Sequence, residues 1–147
     1  MESINPRPLD RLLATYGESH LHPVNEVIHF VCVPVIAFSL LGLLWAVQPL
    51  VAAGLVVASL VYYLTLSVSF ALGMLLMSGA MLGILALLPQ AWVWQISAAV
   101  FVVAWIGQFI GHKIEGKKPS FFDDVRFLLI GPLFVLSFLY RRLKISY

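Results

Sequence analysis

The sequence predicts an all-α fold: a polytopic membrane helical bundle with four transmembrane helices and a short C-terminal re-entrant or interfacial helix. Three observations predict it. From Val27 through His112 there is no Asp, Glu, Lys or Arg, a charge-free run of 86 residues in a chain of 147. The composition is 61% hydrophobic, with a mean hydropathy of +0.97. The run is also interrupted by proline and polar pairs at intervals that suit a bilayer. A soluble domain carries about 25% charged residues along its length, and so long an uncharged run leaves too little polar surface to solvate a small core. A soluble enzyme, a nucleic-acid module and a disordered tail are therefore excluded. The net charge of +2 is too small to imply nucleic acid and serves only as a topology signal.

The elements follow in order. Residues 1–25 form a cytoplasmic-side N-terminal segment, without the basic-then-apolar layout of a cleavable signal peptide. The first span is Glu26–Val47, with Trp45 as an interface anchor, Pro34 as an expected bend, and Gln48-Pro49 as its end. Leu50–Leu88 is apolar throughout. As one helix it would be roughly 58 Å long, about twice the hydrocarbon core. It must fold back, and the cluster of Thr65, Ser67 and Ser69 sets the reversal near Thr65–Ser69. Pro89-Gln90 closes the third span, and Trp92–Gly111 is the fourth. The Gly79/Gly83 and Gly107/Gly111 pairs are read as close helix packing within the chain, with homo-oligomer contact as the alternative.

The last apolar run, Phe127–Tyr140, is interrupted by Gly131-Pro132 and is short for a crossing. Lys113, Lys117, Lys118 and Arg126 precede it, and Arg141, Arg142 and Lys144 follow. The positive-inside rule puts both flanks on the cytoplasmic side, which a true crossing forbids. The chain thus reads as one integral membrane domain over 1–147, with four spans in 26–112 and a loop, short helix and basic tail in 113–147.

An even number of crossings returns the segments before the first span and after the fourth to one membrane face. Those two segments hold all four histidines. A helix starting after Pro23 places Asn25 and His29 at i, i+4 on one side, and His20 precedes it in an entry loop. Gln108 and His112 are at i, i+4, and His112 and Glu115 at i, i+3, a spacing that recurs in carboxylate-bridged metal bundles. Imidazole with carboxylate or amide oxygen suits iron, manganese, zinc or copper. Two or three histidines with one carboxylate and open positions point to non-haem Fe(II) and oxygen chemistry. The histidines must be neutral to bind, and Asn25 and Gln108 suit the role of holding their tautomers. Cys32, the single cysteine, excludes an internal disulfide and is read as packing. His22, beside Pro23, is read either as a participant or as an exposed loop residue.

The pattern His20-x4-Asn25-x3-His29-x4-Pro34, followed by Gln108-x3-His112-x2-Glu115-x3-Pro119, resembles the 2-hydroxy fatty acid dioxygenase family over nearly the whole chain. The resemblance implies a small membrane enzyme that uses Fe(2+) and O2 to shorten a 2-hydroxy fatty acid by one carbon, an α-oxidation. Eukaryotic members act in the endoplasmic reticulum in phytosphingosine breakdown. The implied catalytic residues are His20, His29 and His112, and the implied metal ligands are these three with Glu115. Asn25, Gln108, His22, Tyr16 and Lys113 are the implied surrounding or substrate-contacting residues. Partners would be the 2-hydroxy fatty acid, O2 and membrane lipid. A bacterial inner membrane is the expected location, or the endoplasmic reticulum in a eukaryote, with the site facing the cytoplasm.

Three other functions fit the residues less well. A haem electron carrier would place axial histidines within facing spans, whereas these lie at span ends. A coupled transporter keeps ionisable groups at mid-membrane, which the charge-free run lacks. A non-catalytic lipid-binding protein would have no need of the histidine clustering.

Overall fold

A computed structural model of the chain describes residues 6–117 and 128–147. Lys118, Pro119, Arg126 and Phe127, which the sequence reading used, lie outside the described residues. The helices are α1 (Pro8–Gly17), α2 (Pro23–Val47), α3 (Pro49–Leu66), α4 (Val68–Leu87), α5 (Val93–Glu115) and α6 (Ile130–Arg142), with one 3-10 turn at Gln90–Trp92 before α5. No strand occurs among the described residues. Four of the helices, α2 to α5, are long and apolar enough to cross a membrane.

The reversals fall where chain chemistry forces them. Gln48 is extended, Pro49 takes the first position of α3 without needing a donor, and the Gln48 side chain accepts from Leu50 N–H. Ser67 alone separates α3 from α4. It is extended (φ −167°, ψ 130°), and its hydroxyl accepts from Phe70 N–H at 3.4 Å as an N-cap. This lies inside the Thr65–Ser69 window. α5 runs four residues past the expected Gly111 and stops at Gly116, whose φ of 77° is left-handed and favours glycine. That extension carries Glu115 on the helix.

α1 is an element the sequence reading left as a segment. A helix of 10 residues is too short to hold alone in water. Its apolar residues Leu9 and Tyr16 instead enter one core with Tyr63, Phe70, Leu133 and Tyr140 from α3, α4 and α6. α6 is about 20 Å long, well short of the ~30 Å hydrocarbon thickness. It packs beside α1 on the face where α4 begins: the Tyr140 hydroxyl donates to the Ser69 carbonyl.

α2 and α5 form the most extensive pair, antiparallel along their whole length. Small residues make the approach possible at three levels. A Cβ on Gly42 would collide with Ser97, one on Gly107 would come 2.7 Å from Cys32 Sγ, and one on Gly111 would collide with Asn25 Oδ1. The expectation of close packing at Gly107/Gly111 is met, and so is that of Cys32 as a packing residue. It fails at Gly79/Gly83, where a Cβ would meet nothing within 4 Å. Both glycines lie on an outward side of α4: i, i+4 spacing puts two small residues on one side of a helix but does not say which side faces a neighbour.

Candidate functional site

The site is assembled at the face where α1 ends, α2 begins and α5 ends. The entry loop between α1 and α2 carries no regular structure, so its position depends on what holds it. Three side chains do. The Glu115 carboxylate accepts from Leu21 N–H (3.0 Å) through one oxygen. Its other oxygen accepts from His22 N–H (2.9 Å) and from the Asn25 amide (2.9 Å). Asn25 also donates to the Ser19 carbonyl at 3.2 Å. Lys117 donates to the Glu18 carbonyl (3.1 Å) and the Ser19 hydroxyl (3.4 Å). A loop otherwise free to move is thereby fastened to the end of α5.

The consequence is a row of imidazoles. The His20 ring lies 4.1 Å from the His29 ring, centroid to centroid, at an interplanar angle of 76°. The His29 ring lies 5.3 Å from that of His112, at 89°. All three are at most 7% exposed, although the sequence places them at the ends of apolar spans. His20 Nδ1 is 2.7 Å from the Tyr16 carbonyl, and His29 Nδ1 is 3.0 Å from the Asn25 carbonyl. A carbonyl oxygen can only accept, so each Nδ1 is the donor. In the neutral ring that leaves the lone pair on Nε2, the tautomer in which histidine ligates metal through Nε2.

Tyr16 stacks on His20 with ring centroids 4.3 Å apart and planes within 11°. Tyr16, His29 and Gln108 line one small cavity of about 30 Å3 together with Val33, Ile36, Trp105, Leu128 and Gly131. That is room for a water or two at the 10–15 Å3 each requires. Gln108 is 5% exposed, and its Oε1 is buried with no hydrogen-bond partner. An amide oxygen left so beside imidazole is costly unless a ligand or ion completes it.

Of the expected residues, then, His20, His29, His112, Tyr16 and Gln108 come together. Asn25 and Glu115 sit at their edge and hold the loop, with both carboxylate oxygens of Glu115 engaged there. His22 stands apart: it is the N-cap of α2, exposed, and its ring accepts from Val24 N–H at 3.2 Å. Lys113 is exposed. The sequence reading missed α6 as a wall of the site. Phe134 lies 4.8 Å from Tyr16 and 5.8 Å from His20, ring to ring, and Gly131 admits the Tyr16 hydroxyl and Val33 where a side chain would crowd both. The one signal was Gly131-Pro132 inside an apolar run.

The donor set fits an iron ion chemically: three imidazoles, two with fixed tautomers, and an uncompensated amide oxygen. As they stand, no group of three or more His, Cys, Asp or Glu side chains among the described residues is arranged to hold a metal. The three rings pack edge to face.

Fold and site together define a class: a four-span membrane protein with a buried histidine cluster at one end of its bundle. Comparison with known sequences narrows the class. The 2-hydroxy-palmitic acid dioxygenase Mpo1-like family profile matches residues 7–143, and the chain belongs to that family. It is similar to a 2-hydroxy-palmitic acid dioxygenase of Saccharomyces cerevisiae, with 29% identity over 143 residues covering 88% of this chain and 78% of the yeast protein. No solved structure matches the chain.

Proposed function

We propose that this chain is an Fe(II)-dependent dioxygenase that shortens 2-hydroxy fatty acids by one carbon at the membrane surface. The observation that carries the reading is the convergence of His20, His29 and His112 from a loop and two helices, with Nδ1 of the first two engaged by backbone carbonyls. Membership of the Mpo1-like family and the activity named for the yeast relative support the substrate class.

The reaction balances without a further reductant: a 2-hydroxy acid and O2 give the next shorter acid, CO2 and water. Iron would be held by His20, His29 and His112 and would supply open positions for O2 and for the hydroxyl and carboxylate of the substrate. The chain's own residues do the rest. Tyr16 orients His20 by stacking on its ring, and Phe134 packs at a tilt against both. Gln108 offers its oxygen to the substrate hydroxyl or to the ion. Trp105, Leu128 and Ile36 keep bulk water out. Glu115 enters as the clamp of the entry loop and not as a fourth ligand. Exposed Lys113 is available to draw the carboxylate toward the site. The basic residues Arg141, Arg142 and Lys144 support a cytoplasmic location for this face under the positive-inside rule.

The test is anaerobic purification, iron analysis, and oxygen uptake with 2-hydroxypalmitate. We expect iron in the wild type and CO2 release matched to O2 uptake, with both iron and uptake lost in His29→Ala and His112→Ala. Folded protein with neither iron nor uptake would refute the proposal and favour the non-catalytic lipid-binding alternative.

A further inference from the structure

A larger cavity, of about 250 Å3, lies between α2, α3, α4 and the start of α6. We infer that it is the acyl-tail subsite, taking the hydrocarbon chain of a long 2-hydroxy acid whose head group lies at the histidines; the inference rests on the function proposed above.

Continuity is the first argument. Leu128 lines both cavities, and the adjacent Gly131 and Pro132 line one each. On α2 the histidine cavity ends at Ile36 and the larger one begins at Ala37, continuing to Leu41. Direction is the second. On α3 the lining runs from Tyr63 back to Leu55, and on α4 from Met74 on to Met81. Both lead from the histidine end of the bundle toward the opposite face. At 1.5 Å per residue the α3 wall is about 12 Å long, against ~15 Å for one of the two tails that fill a ~30 Å hydrocarbon core.

The lining chemistry selects a hydrocarbon. Its three hydroxyl groups are each donated to a backbone carbonyl: Ser59 to Leu55 (2.8 Å), Ser78 to Met74 (2.6 Å) and Tyr63 to Leu129 (2.8 Å). None of those protons is left for a polar guest. Met74, Met77 and Met81 give one wall three flexible thioethers, which adapt to a chain of variable conformation. The volume exceeds the roughly 150 Å3 of apolar cavities that take up benzene. The rival source of the same chemistry is the tail of a bilayer phospholipid.

The test uses the full chain in phospholipid nanodiscs and 2-hydroxypalmitate carrying a terminal diazirine. Photolysis should label the far end of the cavity, residues 55–59 and 77–81, and excess 2-hydroxypalmitate, but not 2-hydroxyhexanoate, should abolish the label. Labelling that ignores this competition, or that spreads over the outer faces of α3 and α5, would assign the cavity to bilayer lipid and overturn the inference. A second arm narrows the cavity with Ala37→Phe and Ser59→Leu. The ratio of oxygen uptake with 2-hydroxypalmitate to that with 2-hydroxyoctanoate should fall about tenfold or more, because several methylenes lose their burial. An unchanged ratio with competed labelling absent also overturns it. The two readings fail separately. Competed labelling in a wild type that consumes no oxygen would sink the catalytic proposal and keep the subsite, whereas oxygen uptake with uncompeted labelling would do the reverse.

Discussion

Replacing Glu115 with glutamine separates a clamp from a metal ligand. The carboxylate faces three donors: Leu21 N–H, His22 N–H and the Asn25 amide. Two of them are backbone groups that cannot turn away. Glutamine has one acceptor oxygen. Its best placement keeps His22 and Asn25, and its NH2 then points at Leu21 N–H, donor against donor. One charge-assisted bond is lost, worth about 1.5–3 kcal/mol when buried, together with an anion at the start of α2 worth about 0.3–1 kcal/mol. The site is partly open to solvent, which brings the sum to about 1–2 kcal/mol. For a chain of this length that lowers Tm by about 2–8 °C. Thermal unfolding in micelles followed by tryptophan fluorescence measures it, and iron per chain is determined on the same sample after anaerobic loading. Glu115→Gln should lower Tm while keeping iron near the wild-type level. Iron lost as completely as in His29→Ala, with Tm unchanged, would refute the clamp and make Glu115 a ligand.

Further outcomes follow from the same geometry. Gly111→Ala drives a methyl group into Asn25 Oδ1 and should destabilise the chain by about 1–3 kcal/mol as overpacking, with oxygen uptake falling because Asn25 holds the entry loop. Gly79→Ala meets nothing within 4 Å and should leave Tm unchanged or raise it, since glycine inside a helix costs roughly 0.5–1 kcal/mol relative to alanine. Tyr63→Phe removes the bond to the Leu129 carbonyl and should cost about 0.5–1.5 kcal/mol, read as a Tm shift. His22→Ala should retain iron and lose a modest part of Tm, because that ring caps α2; loss of iron would place it in the metal centre.

Much of the architecture was legible because the membrane enforces it. Backbone groups in hydrocarbon must be satisfied within helices, so an uncharged stretch of known length, punctuated by Gln48-Pro49, Ser67 and Pro89-Gln90, allows few other solutions. Histidine placement was legible for the same reason: parity returns His20, His29 and His112 to one face before any side chain is positioned. α1 was not legible, since a short amphipathic helix exists only through the core it shares with α3, α4 and α6. Nor was the role of Glu115. Its i, i+3 relation to His112 holds on any helix, and what decides its partner is the angle at which α5 meets the entry loop.

The sequence by itself determined an all-α membrane bundle, its reversals, and the set of residues at the histidine end, because hydrophobic length and charge distribution are one-dimensional properties. Only the tertiary structure decided which glycines face a neighbour, that Glu115 fastens a loop, that α6 walls the site, and that an apolar cavity shares the Leu128 wall with it. Each of those depends on the rotation of one helix about its axis and its distance from another, which spacing along the chain leaves free and side-chain packing fixes.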